Sequence, residues 1–269
     1  MRPIILLTLL LALSGCASNA RLNQVRDFAD QAPKLAGFVD LSARFRDTYK
    51  REQPYLSPEA EARERVIDIK RHEAYPDFIA LHDAISSYLH ALGELAAHGR
   101  YDFSAENKAM ATSIKAWPGT GLEERHVNAY NALSRLLLRA AGTREQDKAV
   151  QALLREGYQP LQDALDAMHT LLRYFSKNNE NEERIVMGML ESEIPFAEDP
   201  HDRLLAALAK SHQQEKTTEY RLISLRHTLA AKHVDDLRER HLALYRALDP
   251  AAPAIETGTP TAALQGARP

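Results

Sequence analysis

The sequence predicts an all-α protein, an elongated antiparallel bundle of long helices with a coiled-coil-like seam. Three apolar stripes carry this reading. Phe78, Leu81, Ile85, Tyr88, Leu89, Leu92 and Leu95 recur at helical spacing. Leu154, Tyr158, Leu161, Leu165, Met168, Leu172 and Phe175 alternate four and three, the spacing that keeps one edge of a helix against a partner. Leu222, Leu225, Leu229, His233, Leu237, Leu244 and Leu248 continue a similar stripe near the end. No segment alternates apolar and polar long enough to build a sheet.

Helices are expected at 20–32, 35–53, 58–98, 104–116, 121–141, 144–194 and 200–248. Ser57-Pro58 and Asp199-Pro200 place a capping side chain before a proline at the first helical position. Thr120-Gly121-Leu122-Glu123 and Thr143-Arg144-Glu145-Gln146 read as capping boxes. Gly99, Trp117-Pro118-Gly119, Gly142 and Pro195 are the stops, whereas Pro76 and Pro160 fall inside periodic stretches and should only kink them. The short connections favour antiparallel neighbours. Residues 249–269, rich in Pro, Ala, Thr and Gly without periodicity, read as a disordered tail beyond a bundle domain at 21–248.

The chain has one cysteine, Cys16, at the end of an apolar run from Ile4 to Leu13. That run is shorter than the roughly 20 residues a membrane span needs, and it has the length of a secretory signal core. Leu13-Ser14-Gly15-Cys16 resembles the lipobox of bacterial lipoproteins at all four positions. The resemblance implies a signal peptide at 1–15, a diacylglyceryl group on the Cys16 thiol and a short lipidated tether at 16–20. It also implies attachment to the membrane through Cys16. Ala17, rather than Asp, follows the cysteine, which in the sorting pattern of enteric lipoproteins implies the inner leaflet of the outer membrane, facing the periplasm. With the thiol acylated no cysteine remains, so disulfides and thiol chemistry are excluded.

Net charge is −3, and there is no basic block, so nucleic acid is not an expected partner. The chain lacks Gly-x-Ser-x-Gly, a glycine-rich phosphate loop and a free nucleophilic thiol. Glu123-Glu124-Arg125-His126 and Asp166-Ala167-Met168-His169 carry the Glu/Asp-x-x-His pairs of di-iron bundles. If their helices fold about Gly142, the two histidines stand about 16 Å apart in level, so no metal is expected. His82, His90 and His98 are eight residues apart and drift round the helix, so they cannot meet on one ion. No cofactor is expected either.

Two polar stretches, 176–183 and 211–219, lie equally far from a turn near residue 197, and beyond them the hairpin end is apolar again, through Ile185, Val186, Met187, Met189, Leu190, Ile194, Phe196, Leu204, Leu205 and Leu208. One reading is a projecting tip with a wet neck, in which Met187, Met189, Leu190 and Phe196 dock on a partner. The other makes Asn178-Asn179 a loop, or packs the apolar end into the core. These features lead to a non-catalytic, lipid-anchored scaffold, adaptor or assembly factor of the cell envelope, with an envelope protein as partner. An immunity or inhibitor lipoprotein acting on a toxin, and a bundle enzyme or ligand carrier, are the rival classes.

Overall fold

A computed structural model of the chain describes residues 19–99, 101, 113–140, 146–197 and 199–248. The expected signal peptide with Cys16, most of the helix expected at 104–116, most of the expected Thr143 capping box and the expected tail lie outside these residues. Among the described residues there is no strand, only an isolated antiparallel bridge between Trp117 and Leu122. The protein is all-α.

Eight helices are described: α1 (19–29), α2 (Ala36–Arg46), α3 (Thr48–Glu52), α4 (Pro58–His98), α5 (Glu124–Ala140), α6 (Gln146–Glu156), α7 (Tyr158–Glu193) and α8 (Arg203–Leu248). Residues 19 and 20 are already helical, so the first described helix includes the expected start at 20. Two expected helices are broken. The stretch 35–53 is interrupted at Asp47, whose carboxylate accepts from Arg46 and Lys50. The stretch 144–194 is interrupted at Gly157, packed against Tyr88. Pro76 lies within α4 without ending it, and Gly99 closes α4 in the left-handed conformation that glycine adopts without strain (φ 69°).

Of the three start signals that lie in the described residues, two act as expected and one does not. Ser57 accepts from the Ala60 amide at 3.3 Å, and Asp199 accepts from the His201 amide at 2.9 Å, capping a 3₁₀ turn that leads into α8. Thr120 forms no box, because its hydroxyl donates to the Trp117 carbonyl. The cap sits one step later. The Glu123 amide donates to Nδ1 of His126 at 3.0 Å, so a histidine fills the role that Glu or Gln has in the usual box.

The helices α7 and α8 form an antiparallel hairpin. Tyr158 stacks on Tyr245 at 4.1 Å, Gln162 donates to the Arg238 carbonyl, and Tyr220 donates to Glu182 at 3.2 Å. Buried positions on α7 run Leu161, Leu165, Met168, Leu172, Phe175, Asn179, Glu182 and Val186, alternating four and three. On α8 they run Tyr220, Ile223, His227, Ala230, Val234, Leu237, His241 and Leu244. The stripe expected there is therefore correct at Leu237, Leu244 and the half-buried Leu248, which packs on the core; Leu222, Leu225 and Leu229 are 52–61% exposed. The true stripe is harder to see because a tyrosine and two histidines occupy apolar places.

Against α8 lie α1 and α2, running the opposite way: Phe28 stacks on His241, Lys34 meets His233, Asp40 meets Arg226 and Arg44 meets Glu219. The core is filled by Phe38, Phe45, Phe78 and Phe175 in mutual ring contact, and by the apolar face of α4. The first helix thus begins at the end of the bundle where α8 finishes. The hairpin end at 186–208 is the opposite one, about 55 Å from the level of His241 at 1.5 Å per residue.

Candidate functional site

The polar stretch 176–183 is neither a wet neck nor a loop. It is continuous helix, and two of its side chains, Asn179 and Glu182, are buried. Glu182 is gripped from α3 by Arg51, through Nε to Oε1 at 2.8 Å and Nη2 to Oε2 at 2.7 Å. From α2, Arg44 adds a bond at 3.1 Å, and from α8 the Tyr220 hydroxyl donates at 3.2 Å. Asn178 accepts from Arg71 and donates to Thr48, and Arg71 also meets Glu64. Glu52, 1% exposed, sits in the same layer; burial, then the neighbouring Glu64 and Glu182 carboxylates, push it up to about 7. The polar residues thus bolt the hairpin to α2, α3 and α4. The space they enclose is about 10 Å³, room for about one water rather than a substrate.

Beyond this layer Val186, Leu190, Ile194 and Tyr220 form a small separate core, with Met187 and Tyr55 packed against it. The Tyr55 ring stacks on His212, with its hydroxyl 2.5 Å from Nε2. Of the four residues expected to meet a partner, Leu190 is therefore core at 7% exposure and Met187 is half-buried. Met189 is 39% exposed and Phe196 84%. The exposed set extends to Leu204, Leu205 and Leu208, at 59–73%. Sequence reasoning placed these three at the hairpin end without assigning them to the patch. At 100° per residue Leu204 and Leu208 lie about 100° and 60° outside the arc set by Tyr220, Ile223 and His227, whereas Leu205 shares the angle of Ile223, so phase does not reveal its exposure.

The histidine pairs also differ from expectation. Arg125 meets Asp166 at 2.6 Å and Arg139 meets Glu156 at 2.8 Å, so α5 runs back along α7 with His126 beside Asp166. The expected 16 Å offset is absent. His126 is nonetheless committed: Nδ1 accepts from the cap amide, and Nε2 faces Asp166 at 3.4 Å. His126, then Arg125, hold the Asp166 carboxyl down at about 2, while burial opposes them. His169 pairs instead with Asp235 at 3.7 Å. Among the described residues no group of three or more His, Cys, Asp or Glu side chains could hold a metal ion.

Two larger clefts open on the surface of the described residues. One, about 380 Å³, lies between the Trp117–Thr120 turn and α4, walled by Phe45, Tyr174 and Trp117, with the Trp117 indole tied to Asp77 at 2.7 Å. The other, about 640 Å³, is bordered by Arg135, Leu138, Arg139 and Pro160. No described helix is long and apolar enough to cross a membrane. Fold and site together define an all-α helical protein whose buried polar layer braces an exposed apolar hairpin end. Compared with protein-family models, curated proteins and solved structures, the chain gives no match.

Proposed function

We propose that the protein is a lipid-anchored helical interaction protein of the cell envelope, a scaffold, adaptor or assembly factor rather than an enzyme. Cys16 holds it on the outer membrane, facing the periplasm, and the hairpin end binds an envelope protein. The observation that carries this is the exposure of Phe196, Leu204, Leu205 and Leu208 together on one end of the bundle. Exposed apolar groups gathered at one place mark an interaction surface more often than a bare exterior. The clamp around Glu182 supports the reading, since it fixes the patch on a rigid stem at a cost a free tip would not require. We read the four-and-three alternation along α7 and α8 as a coiled-coil-like seam of an elongated antiparallel bundle, which keeps that stem straight.

The anchoring places the patch away from the membrane-linked end. The first helix starts three residues after Cys16, at the opposite end of the molecule. The test is crosslinking of the acylated protein in its own envelope, followed by mass spectrometry. Phe196→Ser with Leu208→Ser is expected to lose a specific adduct that the parent forms. Cys16→Ser is expected to lose acylation by a palmitate analogue and to leave an uncleaved precursor. An adduct pattern unchanged by the double substitution would refute the patch.

A further inference from the structure

The outer face of α8 carries a second apolar feature, separate from the hairpin end. Leu222, Leu225 and Leu229 lie within about 60° of arc on the helix, and all three are more than half exposed. They are separated from Leu204 and Leu208 on the same side by a polar gap of Ser211, Glu215 and Thr218. Along one flank, at nearly the same angle round the helix, stand Arg203, Arg221 and Lys232. These three make no ion pair among the described residues. Over its whole length, residues 203–248, the helix has nine basic side chains against five acidic ones, in a chain that is net acidic overall; Asp236 and Glu239 follow on the same side, beyond Lys232.

We propose that this proximal leucine face, with Arg221 and Lys232 beside it, lies on the anionic lipid surface of the leaflet that holds the anchor. A leucine stripe rimmed by cations is the pattern of a helix seated in the membrane interface. A second copy is disfavoured by charge. Antiparallel pairing centred on the three leucines would set the basic flank against itself, Arg221 against Lys232, and parallel pairing would set Glu215 against its own copy. A helical protein partner needs a groove, whereas these leucines stand on a convex ridge and line neither open cleft. The position also fits. Leu229 lies about 18 Å and Leu222 about 29 Å along α8 from His241, at the end where the first helix begins. A body tethered there and attracted by this face lies down on the leaflet, presenting the hairpin end sideways rather than outward. The choice of leaflet rests on the anchoring reading, but the lipid affinity does not.

With Cys16 acylated, Thr228→Cys offers the single free thiol of the mature chain. The acylated protein, labelled there with a polarity-sensitive fluorophore, is reconstituted in phosphatidylcholine vesicles containing about one third phosphatidylglycerol. The label is expected to shift to the blue and to be quenched by spin-labelled lipid several-fold more than in pure phosphatidylcholine. A label at Val66→Cys, exposed on α4, should stay in water. Arg221→Glu with Lys232→Glu should release the Thr228→Cys label without detaching the protein, and high salt should do the same. Equal water exposure of both labels would overturn the inference. So would quenching that ignores both the charge reversal and the lipid composition. Energy transfer between labelled copies that Leu225→Ser abolishes would assign the face to self-association instead, and quenching blocked by a captured acidic protein would assign it to that protein. If Cys16 proves unacylated and the chain is not held, the anchoring reading fails by itself. The same chain added from solution must then still sediment with anionic vesicles and not with neutral ones, or the lipid face fails too.

Discussion

Arg51 and Glu182 are 131 residues apart in sequence, yet their side chains meet in a two-pronged ion pair, Nε to Oε1 at 2.8 Å and Nη2 to Oε2 at 2.7 Å. The Glu182 side chain is 1% exposed and Arg51 20%. A buried pair of this kind contributes little net stability relative to a well-packed apolar substitute, but a large cost follows when one partner is lost. The pair therefore acts as a registration device, fixing where the α7–α8 hairpin sits along α2 and α3.

Arg51→Met is accordingly expected to destabilise the protein by about 3–5 kcal/mol, because it leaves the Glu182 charge buried with less compensation. Glu182→Gln keeps the bond from Tyr220 and removes the charge, so its cost should be smaller. Denaturant midpoints at neutral pH check the ranking. A cost for Arg51→Met of the size seen at an exposed pair, below about 1 kcal/mol, would show that the clamp is not buried in solution.

This clamp also shows where sequence reading stops. Helix after helix was legible because apolar spacing and cap residues act locally: Ser57, Pro58, Gly99 and Asp199 work as their chemistry dictates. The α8 face was misassigned because Tyr220, His227 and His241 occupy buried places while Leu222, Leu225 and Leu229 face outward. Asn179 and Glu182 look solvated in sequence for the same reason. Their burial is favourable only because Arg44 and Arg51 arrive from a distant segment, and no local pattern encodes that arrival. Of the expected partner residues, Phe196 and Met189 are exposed, while Leu190, one residue from Met189, turns into the hairpin's own small core.

That difference gives a direct test of core against surface. Leu190→Ser should cost about 2–5 kcal/mol, since it empties a packed site beside Val186, Ile194 and Tyr220. Phe196→Ser, at a residue 84% exposed, should change stability by no more than about 0.5 kcal/mol. Thermal melts of the two variants are expected to separate clearly. A Phe196 variant that melts as low as the Leu190 variant would mean the hairpin end packs on something else in solution.

The pH dependence follows from three buried groups. Glu52, pushed up to about 7, stays protonated in the folded chain where an unfolded chain would ionise near 4.5, so its contribution is lost as pH rises through that window. Burial lowers His227 to about 4, with Arg44 adding to it, and burial lowers His241 to about 3. Their contribution is present above about 6.5 and is lost as pH falls towards those values. From pH 4.5 to 6.5 two histidines outweigh one carboxylate, so stability should climb and peak near 6.5. Glu52→Gln should raise stability at pH 8 relative to the parent, by up to about 3 kcal/mol. Denaturation midpoints across this range decide the matter; a parent and variant that differ equally at every pH would exclude the proton on Glu52.

Two glycines in the same hairpin arm give opposite expectations. Gly157 has an ordinary backbone conformation, φ −81° and ψ −8°, so alanine is not excluded there by strain. The exclusion is spatial: an added Cβ would sit 2.5 Å from the Leu153 carbonyl oxygen and 2.6 Å from the Tyr88 ring and hydroxyl. Tyr88 cannot retreat freely, since its hydroxyl donates to the Leu153 carbonyl at 3.0 Å and lies 3.1 Å from Nε2 of buried His241. Gly157→Ala must push the ring, the carbonyl or α7 itself, which costs about 1–3 kcal/mol in a packed core. At Gly188, inside α7, an added Cβ meets nothing within 4 Å. Gly188→Ala only removes backbone freedom from the unfolded chain and should stabilise by about 0.5–1 kcal/mol. Opposite shifts in urea midpoint are therefore expected from one chemical change 31 residues apart on one helical arm. If Gly157→Ala stabilised as well, the close approach of α6 and α7 to Tyr88, and with it the break between those helices, would be wrong.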